Sequence, residues 1–527
     1  MTEKRQRPVT LNAVREEQEF PVRVACIDVG SNALRFLAVE FQDPDHYRLV
    51  EQDRAAVRLG HDVFLTGRLT GGAIDGAVAA LTGFADRMAE VGVAVYRCVA
   101  TSAVRESSNA RELIQRVRNQ AGLELDVISG SEEARLIYVA VKRAVDLAGR
   151  DWILTDVGGG SVEVLLADGT GILWSESHTM GSVRLLEELS EAGEDPGRFR
   201  RLLEEYTATL RLPAAAQVRK PSGFIATGGN AETLAQLAGV WTGPGKPSSL
   251  GLEAVSTIIE KLSRLSYRQR VDQLGLREDR ADVVLPAALV YERLARLSGA
   301  ASMLVPGVGI KEGVLFDLVE AVTTQRAHAD KQERELVTAL VATGRRFAFD
   351  ESHAAQVAKH ALALFDQLEE LHRLGSGERK ILQAAAWLHD IGGYISYKRH
   401  HKHSMYLITH SELPGFSEAE SALAAAVARY HRKSEPGPGH PEFTALRAGD
   451  QRKVQTLAAI LRLADALDRE HTESVRSVRA EVRGGEVVLR IDGKGDLLLE
   501  KWALKRKAPM FERVFERKVR VRNGAGD

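Results

Sequence analysis

Cysteine is almost missing: Cys26 and Cys98 are the only two in 527 residues, which excludes a disulfide scaffold. Both sit in apolar, strand-like runs, VRVACIDVG and YRCVATSA, where a small buried hydrophobe is the expected role. Net charge is nearly absent too. The 71 basic and 72 acidic residues leave −1, so overall electrostatics give no reason to expect DNA or RNA as a partner. No apolar run approaches a membrane span, and residues 1–20 are charged where a secretory signal would be apolar, so we expect a cytoplasmic chain without a membrane partner. One stretch departs from neutrality: between Lys501 and Arg522 nine basic residues face two acidic ones, either a polyanion-attracting patch or a solvated surface.

What is there fits an ordinary globular chain, 44% hydrophobic and 27% charged, and its length calls for several domains. Two segments resemble each other, VRVACIDVGSN at 22–32 and DWILTDVGGGSVEV at 151–164. Each is a β-branched run ending in Asp-Val-Gly and then small residues that let the backbone turn sharply. Strand and helix signals alternate around both, so the front of the chain reads as a duplicated α/β unit, divided at 20–138 and 139–321. Further glycine turns follow apolar runs in GFIATGGNAETL and VPGVGIKEGVL, and each opens a helix. From 322 to 472 the pattern becomes alanine- and leucine-rich helix, and 473–527 reads as a small β-rich appendage of short runs such as EVVLRI and DLLLE.

Holding a chain of phosphates requires many backbone N–H donors converging on one place, and glycine turns after strands provide them. Ser31, Asn32, Gly158, Gly159, Gly160, Ser161, Gly228 and Gly229 are the candidate phosphate-binding positions. Asp28 and Asp156 end their strands and either cap their own turns or, with Glu163, offer the oxygen-rich setting that Mg²⁺ prefers. Glu163 alternates with valines in SVEVLL, so a solvent-facing side chain is the other reading.

These pieces, with ATSAVRESSN at 100–109, ISGSEEARLIY at 128–138 and MGSVRL at 180–185, resemble the exopolyphosphatase and guanosine pentaphosphatase family. The resemblance implies paired actin-like, hexokinase-like (ribonuclease H-like) domains in which water attacks a terminal phosphate. It places the family's catalytic glutamate on Glu133 and its phosphate-contacting arginine on Arg105. A carboxylate beside the phosphate loops could orient and deprotonate that water, and a guanidinium could neutralise phosphoryl charge. Glu132 could do the same work, or simply begin the helix. The implied substrates are inorganic polyphosphate or guanosine pentaphosphate. Polyphosphate is favoured by the long C-terminal extension, and a homodimer is implied.

In the helical half, His353, His389, Asp390 and Asp465 lie in ESHAAQ, WLHDIGG and LADALD and resemble the HD metal-dependent phosphohydrolase signature. Two imidazoles and two carboxylates from different helices can converge on a second divalent metal. Some long family members look to have lost these residues; this chain keeps the quartet. His403 and His431 are further ligand candidates, while His400 and His401 are either ligands or part of a basic helix surface. Two rival functions follow, a phosphodiesterase acting from the quartet and a polyphosphate or alarmone sensor.

Overall fold

The computed structural model describes residues 8–11, 14, 17–189, 196–212 and 221–523, with side chains omitted at 196–199 and 325–331. Two compact units result, Met1–Leu336 and Val337–Asp527. No helix among the described residues is long and apolar enough to cross a membrane.

The first unit shows the duplication at the level of strand pairing. Val22–Val29 pairs antiparallel with Leu34–Phe41, which pairs antiparallel with Tyr47–Ala55. On its other side Val22–Val29 lies parallel to Val95–Ala100. The same pattern recurs in Trp152–Val157, Val162–Ala167 and Ile172–His178, with Gly223–Thr227 parallel to the first of them. Residues of the leading strands are buried almost throughout, as expected for sheets covered on both faces. Cys26 and Cys98 are free and buried in adjacent strands.

The helix Gly130–Ala144 is fixed from both ends of the argument. Ser129 caps it, its side chain accepting the N–H of Glu132 at 3.2 Å, a contact worth about 1 kcal/mol. The helix Ile310–Thr323 crosses it so closely that a Cβ on Gly313 would stand 2.0 Å from the Leu136 carbonyl oxygen, which only glycine permits. Around that crossing Arg135 donates to Asp317 at 2.9 Å and to Glu132 at 2.7 Å, and Arg97 adds a 3.1 Å contact to Glu132. Glu132 is therefore committed to an ion network holding this helix in place.

In the second unit, helices run from Glu351–Gln367 through Ser376–Leu388, His400–Thr409 and Glu418–Arg429 to Ala448–Ala466. The three-stranded sheet Val475–Arg483, Glu486–Gly493 and Lys518–Asn523 follows. One expectation fails here. DLLLE is not a strand but the entry to an 18-residue helix, Leu498–Phe515. Ala503, Leu504, Ala508, Phe511 and Phe515 recur at helical spacing and are buried, and the helix packs on Ala448–Ala466. Pro509 inside it obscured that period in the sequence.

Candidate functional site

Where the two halves of the first unit face each other, a cavity of about 460 Å³ opens. Asp28 and Asp156 line it from equivalent places, each the penultimate residue of its leading strand. Arg35 Nη1 donates to Asp28 Oδ2 at 2.9 Å, and Thr227 Oγ1 donates to Asp156 Oδ1 at 2.7 Å. Ser31, Asn32, Gly158, Gly159, Ser161, Gly228 and Gly229 are all on the wall. The Ser31 hydroxyl lies 2.9 Å from that of Ser102, and Asn32 Nδ2 donates to the Asp279 carbonyl at 2.9 Å.

Gly228 shows why glycine is needed. Its φ is +83°, and a Cβ there would stand 2.7 Å from Asp156 Oδ1. It precedes the helix Gly229–Leu237, which starts without a side-chain cap and whose first residues, Gly229 and Asn230, line the cavity. Gly160 serves differently from the expectation. A Cβ on it would meet Phe64 and the Ser102 hydroxyl at 2.3 and 2.4 Å, and it does not line the cavity: it lets the turn pack.

Glu133 reaches the cavity from the first turn of its helix with 3% of its surface exposed. Arg105 Nη1 donates to Glu133 Oε1 at 2.5 Å and to the Ile128 carbonyl at 2.8 Å, so Arg105 stands behind the glutamate and not on the wall. Burial pushes the Glu133 carboxyl up to about 7; Arg105 opposes this, and Asp156 and Asp28 add to it. The group thus sits where it can take or give a proton near neutrality. Burial likewise raises Asp156, against the pull of the Thr227 hydrogen bond.

The solvent-facing reading of Glu163 is corrected. It is 1% exposed, directly opposite Asp156 in the strand register, because both faces of this sheet are covered. Ser177 donates to its Oε1 at 3.0 Å and its Oε2 has no hydrogen-bond partner. Burial, then Glu133 and Asp156, raise its carboxyl well above the usual range.

Residues 39–322 match the Ppx/GppA phosphatase family, and residues 337–506 match domain III of the same family. The chain belongs to the Ppx/GppA phosphatase family. As a family member it is a phosphoanhydride hydrolase. It is 27% identical over 452 residues to the guanosine-5'-triphosphate,3'-diphosphate pyrophosphatase of Photobacterium profundum, covering 83% of this chain and 84% of that protein. The protein of the same name from Vibrio vulnificus is 26% identical over 474 residues, covering 89% and 92%. Among solved structures, an exopolyphosphatase from Cytophaga hutchinsonii aligns with a TM-score of 0.53 at 27% identity, covering 57% of this chain and 98% of that one. That likeness supports the duplicated α/β architecture.

The family member's second unit gathers its own cluster. Asp350 caps the helix Glu351–Gln367 and so presents His353; the helix Ser376–Leu388 ends at His389 and Asp390; Asp465 closes Ala448–Ala466. His353 Nε2 and His389 Nε2 lie 3.7 and 3.9 Å from Asp465 Oδ1, and His389 Nε2 lies 3.8 Å from Asp390 Oδ1. The predicted quartet is thus brought together. His400 and His431 join it, at 3.0 and 3.3 Å from Asp390 Oδ1. His403 does not: it is half-buried on the same helix, outside the groups whose ligand atoms converge. His401 is buried, not on a solvated face, and burial with Arg429 lowers its ring to about 4.

Sequence reasoning missed Arg54, Arg277, Arg280, Asn230 and Lys311, all on the front cavity wall. Arg280 Nη1 donates to Asn230 Oδ1 at 2.9 Å, and burial followed by its neighbour Arg35 lowers it to about 10. Asn230 follows the Gly228-Gly229 turn and could have been found from it; Arg277 and Arg280 lie in LREDRAD, which carries no glycine or strand signal. In the second unit Lys507, from the helix mistaken for strand, makes an ion pair with Asp465.

Proposed function

We propose that the front cavity removes the terminal phosphoryl group of a phosphoanhydride chain by attack of water, with inorganic polyphosphate as its substrate. The observation that carries this reading is Glu133, buried, tuned to about 7 and set on the wall of a cavity built from glycine turns. Water's oxygen would bond to phosphorus as the bridging P–O bond breaks; Glu133 takes the water's proton, and orthophosphate leaves. Arg105 orients Glu133 through the 2.5 Å contact. Arg35, Arg54, Arg277, Arg280 and Lys311 stand on the same wall, Arg35 paired with Asp28 and Arg54 with Asp279, and offer cationic donors to phosphate oxygens among the wall's carboxylates.

Mg²⁺ fits the donor set, because it keeps several waters and needs only one or two carboxylates. Asp28 and Asp156 offer them from the wall, and Glu163 Oε2 is a buried acceptor without a partner. When bound, the ion neutralises charge on the phosphoryl oxygens. In the second unit we read His353, His389, Asp390 and Asp465 as HD-type ligands of a further divalent ion. The names of the curated relatives favour a second reading of the front site, guanosine pentaphosphate as substrate. A homodimer is a further expectation, checked by light scattering.

The test is Mg²⁺-dependent phosphate release from long-chain polyphosphate and from guanosine pentaphosphate, in wild type and Glu133→Gln. Release from polyphosphate that the substitution abolishes is expected. Preference for the nucleotide would replace the substrate, and undiminished release by the variant would remove Glu133 from the reaction.

A further inference from the structure

The turn that leads into the helix Leu498–Phe515 forms one wall of a groove of about 690 Å³ in the second unit. Residues 494–500 and Trp502 line it, with Glu470 and Ser474 opposite in sequence, and none of the clustered histidines does. The turn is pinned at three points. Lys494 N–H donates to the Ser474 carbonyl at 2.8 Å, Leu498 N–H to Asp496 Oδ1 at 3.1 Å, and Lys501 Nζ to the Asp496 carbonyl at 2.6 Å. The wall is therefore formed before any ligand arrives, which lowers the cost of binding one.

Its chemistry is divided. Leu498, Leu499 and Trp502 present apolar surface, Leu498 with 71% of its area exposed, while Glu470, Asp496 and Glu500 present three carboxylates against one ammonium, that of Lys494. Glu500 is the anomaly. It is 2% exposed, it belongs to the wall, and its Oε1 has no hydrogen-bond partner. Burial raises its carboxyl, Glu470, Asp468 and Asp496 raise it further, and its own backbone N–H draws it down. A buried carboxylate oxygen left unmatched among other acids is costly unless a cation meets it. Trp502 shows what the apolar side accepts, because the Arg506 guanidinium carbon stands 4.7 Å from its ring centroid. A hydrated metal ion would meet the carboxylates and leave the leucines and the ring facing water. A cation carried on a hydrocarbon stem uses both.

We infer that this groove binds a linear aliphatic diammonium, one charge on Glu500, the other on the exposed carboxylates of Glu470 and Asp496, and the methylene stem along Leu498, Leu499 and Trp502. A lysine side chain carries the same ammonium on a hydrocarbon stem, but with one charge. Carboxylates both in the depth of the wall and on its exposed part favour the ligand charged at both ends.

The experiment is calorimetric titration of the full chain with 1,5-diaminopentane at neutral pH, in wild type, Glu500→Gln and Leu498→Ser. Saturable binding is expected in wild type. Glu500→Gln should weaken it roughly 10- to 100-fold, the share of one hydrogen bond to a charged group. Leu498→Ser, at an exposed position that the fold does not need, should weaken it about tenfold, the share of one buried leucine side chain. Circular dichroism on each variant separates loss of the site from loss of the fold. Pentanol, an uncharged chain of the same length, should not bind, and equal binding would reduce the groove to an apolar surface. Tighter binding of Nα-acetyl-lysine methylamide than of the diamine would overturn the free diammonium in favour of a lysine side chain, and displacement of the diamine by an equal concentration of Mg²⁺ would overturn the organic cation. A dimer in light scattering that Leu498→Ser dissociates would give the groove to a second copy of the chain. No saturable heat in wild type, or binding unchanged in Glu500→Gln, would overturn the site itself.

Discussion

The front cavity and the histidine cluster are both buried polar sites, and burial does opposite work in them. In each, leaving water favours the neutral form of the titrating group. For Glu133 the neutral form holds a proton, and burial lifts the carboxyl to about 7, the range in which a group can exchange a proton near neutrality. For His389 burial lowers the ring to about 4, with Asp390 pulling the other way, and His431 is driven well below its ordinary value. A neutral imidazole holds out a lone pair, which is the form that can ligate a metal. One physical effect therefore favours proton transfer where carboxylates are gathered and the ligating form where imidazoles are. The backbone differs accordingly: glycine turns and a helix start face the front cavity, whereas in the cluster backbone carbonyls of Ala386 and Ala428 hold the His389 and His431 rings.

The sharpest way to break this contrast is Glu133→Gln. The isosteric amide keeps the packing and removes the base, so phosphate release should fall by roughly 10²–10⁴-fold, the range ascribed to a positioned general base. Metal bound by the second unit should be unchanged. A variant that loses metal along with activity would show that the two centres are not separate chemistries.

A smaller effect is expected from Asp468→Asn. Asp468 touches no proposed ion; it orients His353 through the 2.8 Å contact to Nδ1. Removing such an outer partner typically costs about 10–100-fold in metal affinity. Calorimetric titration with Mn²⁺ reads this directly, and an unchanged affinity would leave His353 a core histidine satisfied by a carboxylate.

How much of each centre the sequence disclosed follows from how its residues are spaced. Asp28, Ser31 and Asn32, or Asp156 and Gly158–Ser161, are contiguous, because one strand and its turn deliver them together. Arg54 and Arg280 reach the same wall from segments with no turn signal; only tertiary packing brings them there. Glu163 was ambiguous because strand alternation tells which residues share a face, not whether the other face is also covered. The histidines of His400–Thr409 failed for a related reason. His400 and His403 stand three apart, on one helix face, and either could have been the ligand. What decides is which ring faces Asp390: His400 Nε2 stands 3.0 Å from Asp390 Oδ1, whereas the His403 ring joins no converging group.

The finest test of the contrast is the pH dependence of the front site. If Glu133 is the base, kcat/KM should fall about tenfold per pH unit on the acid side of a break near 7, because that parameter reports ionisation in the free enzyme. Arg105 pulls the Glu133 carboxyl down, so Arg105→Met should move the break to higher pH, and Arg105→Lys should return it part of the way. Stability must move with the same group. An acid whose folded value exceeds its ordinary 4.5 lends stability that is complete below 4.5, declines as pH rises and is gone above about 7, so denaturant midpoints should drop across that window. Glu133→Gln, which cannot ionise, should flatten both curves there. A break that stays near 7 in the variant would belong to another group, and the buried carboxyl would then be a part of the packing and not of the chemistry.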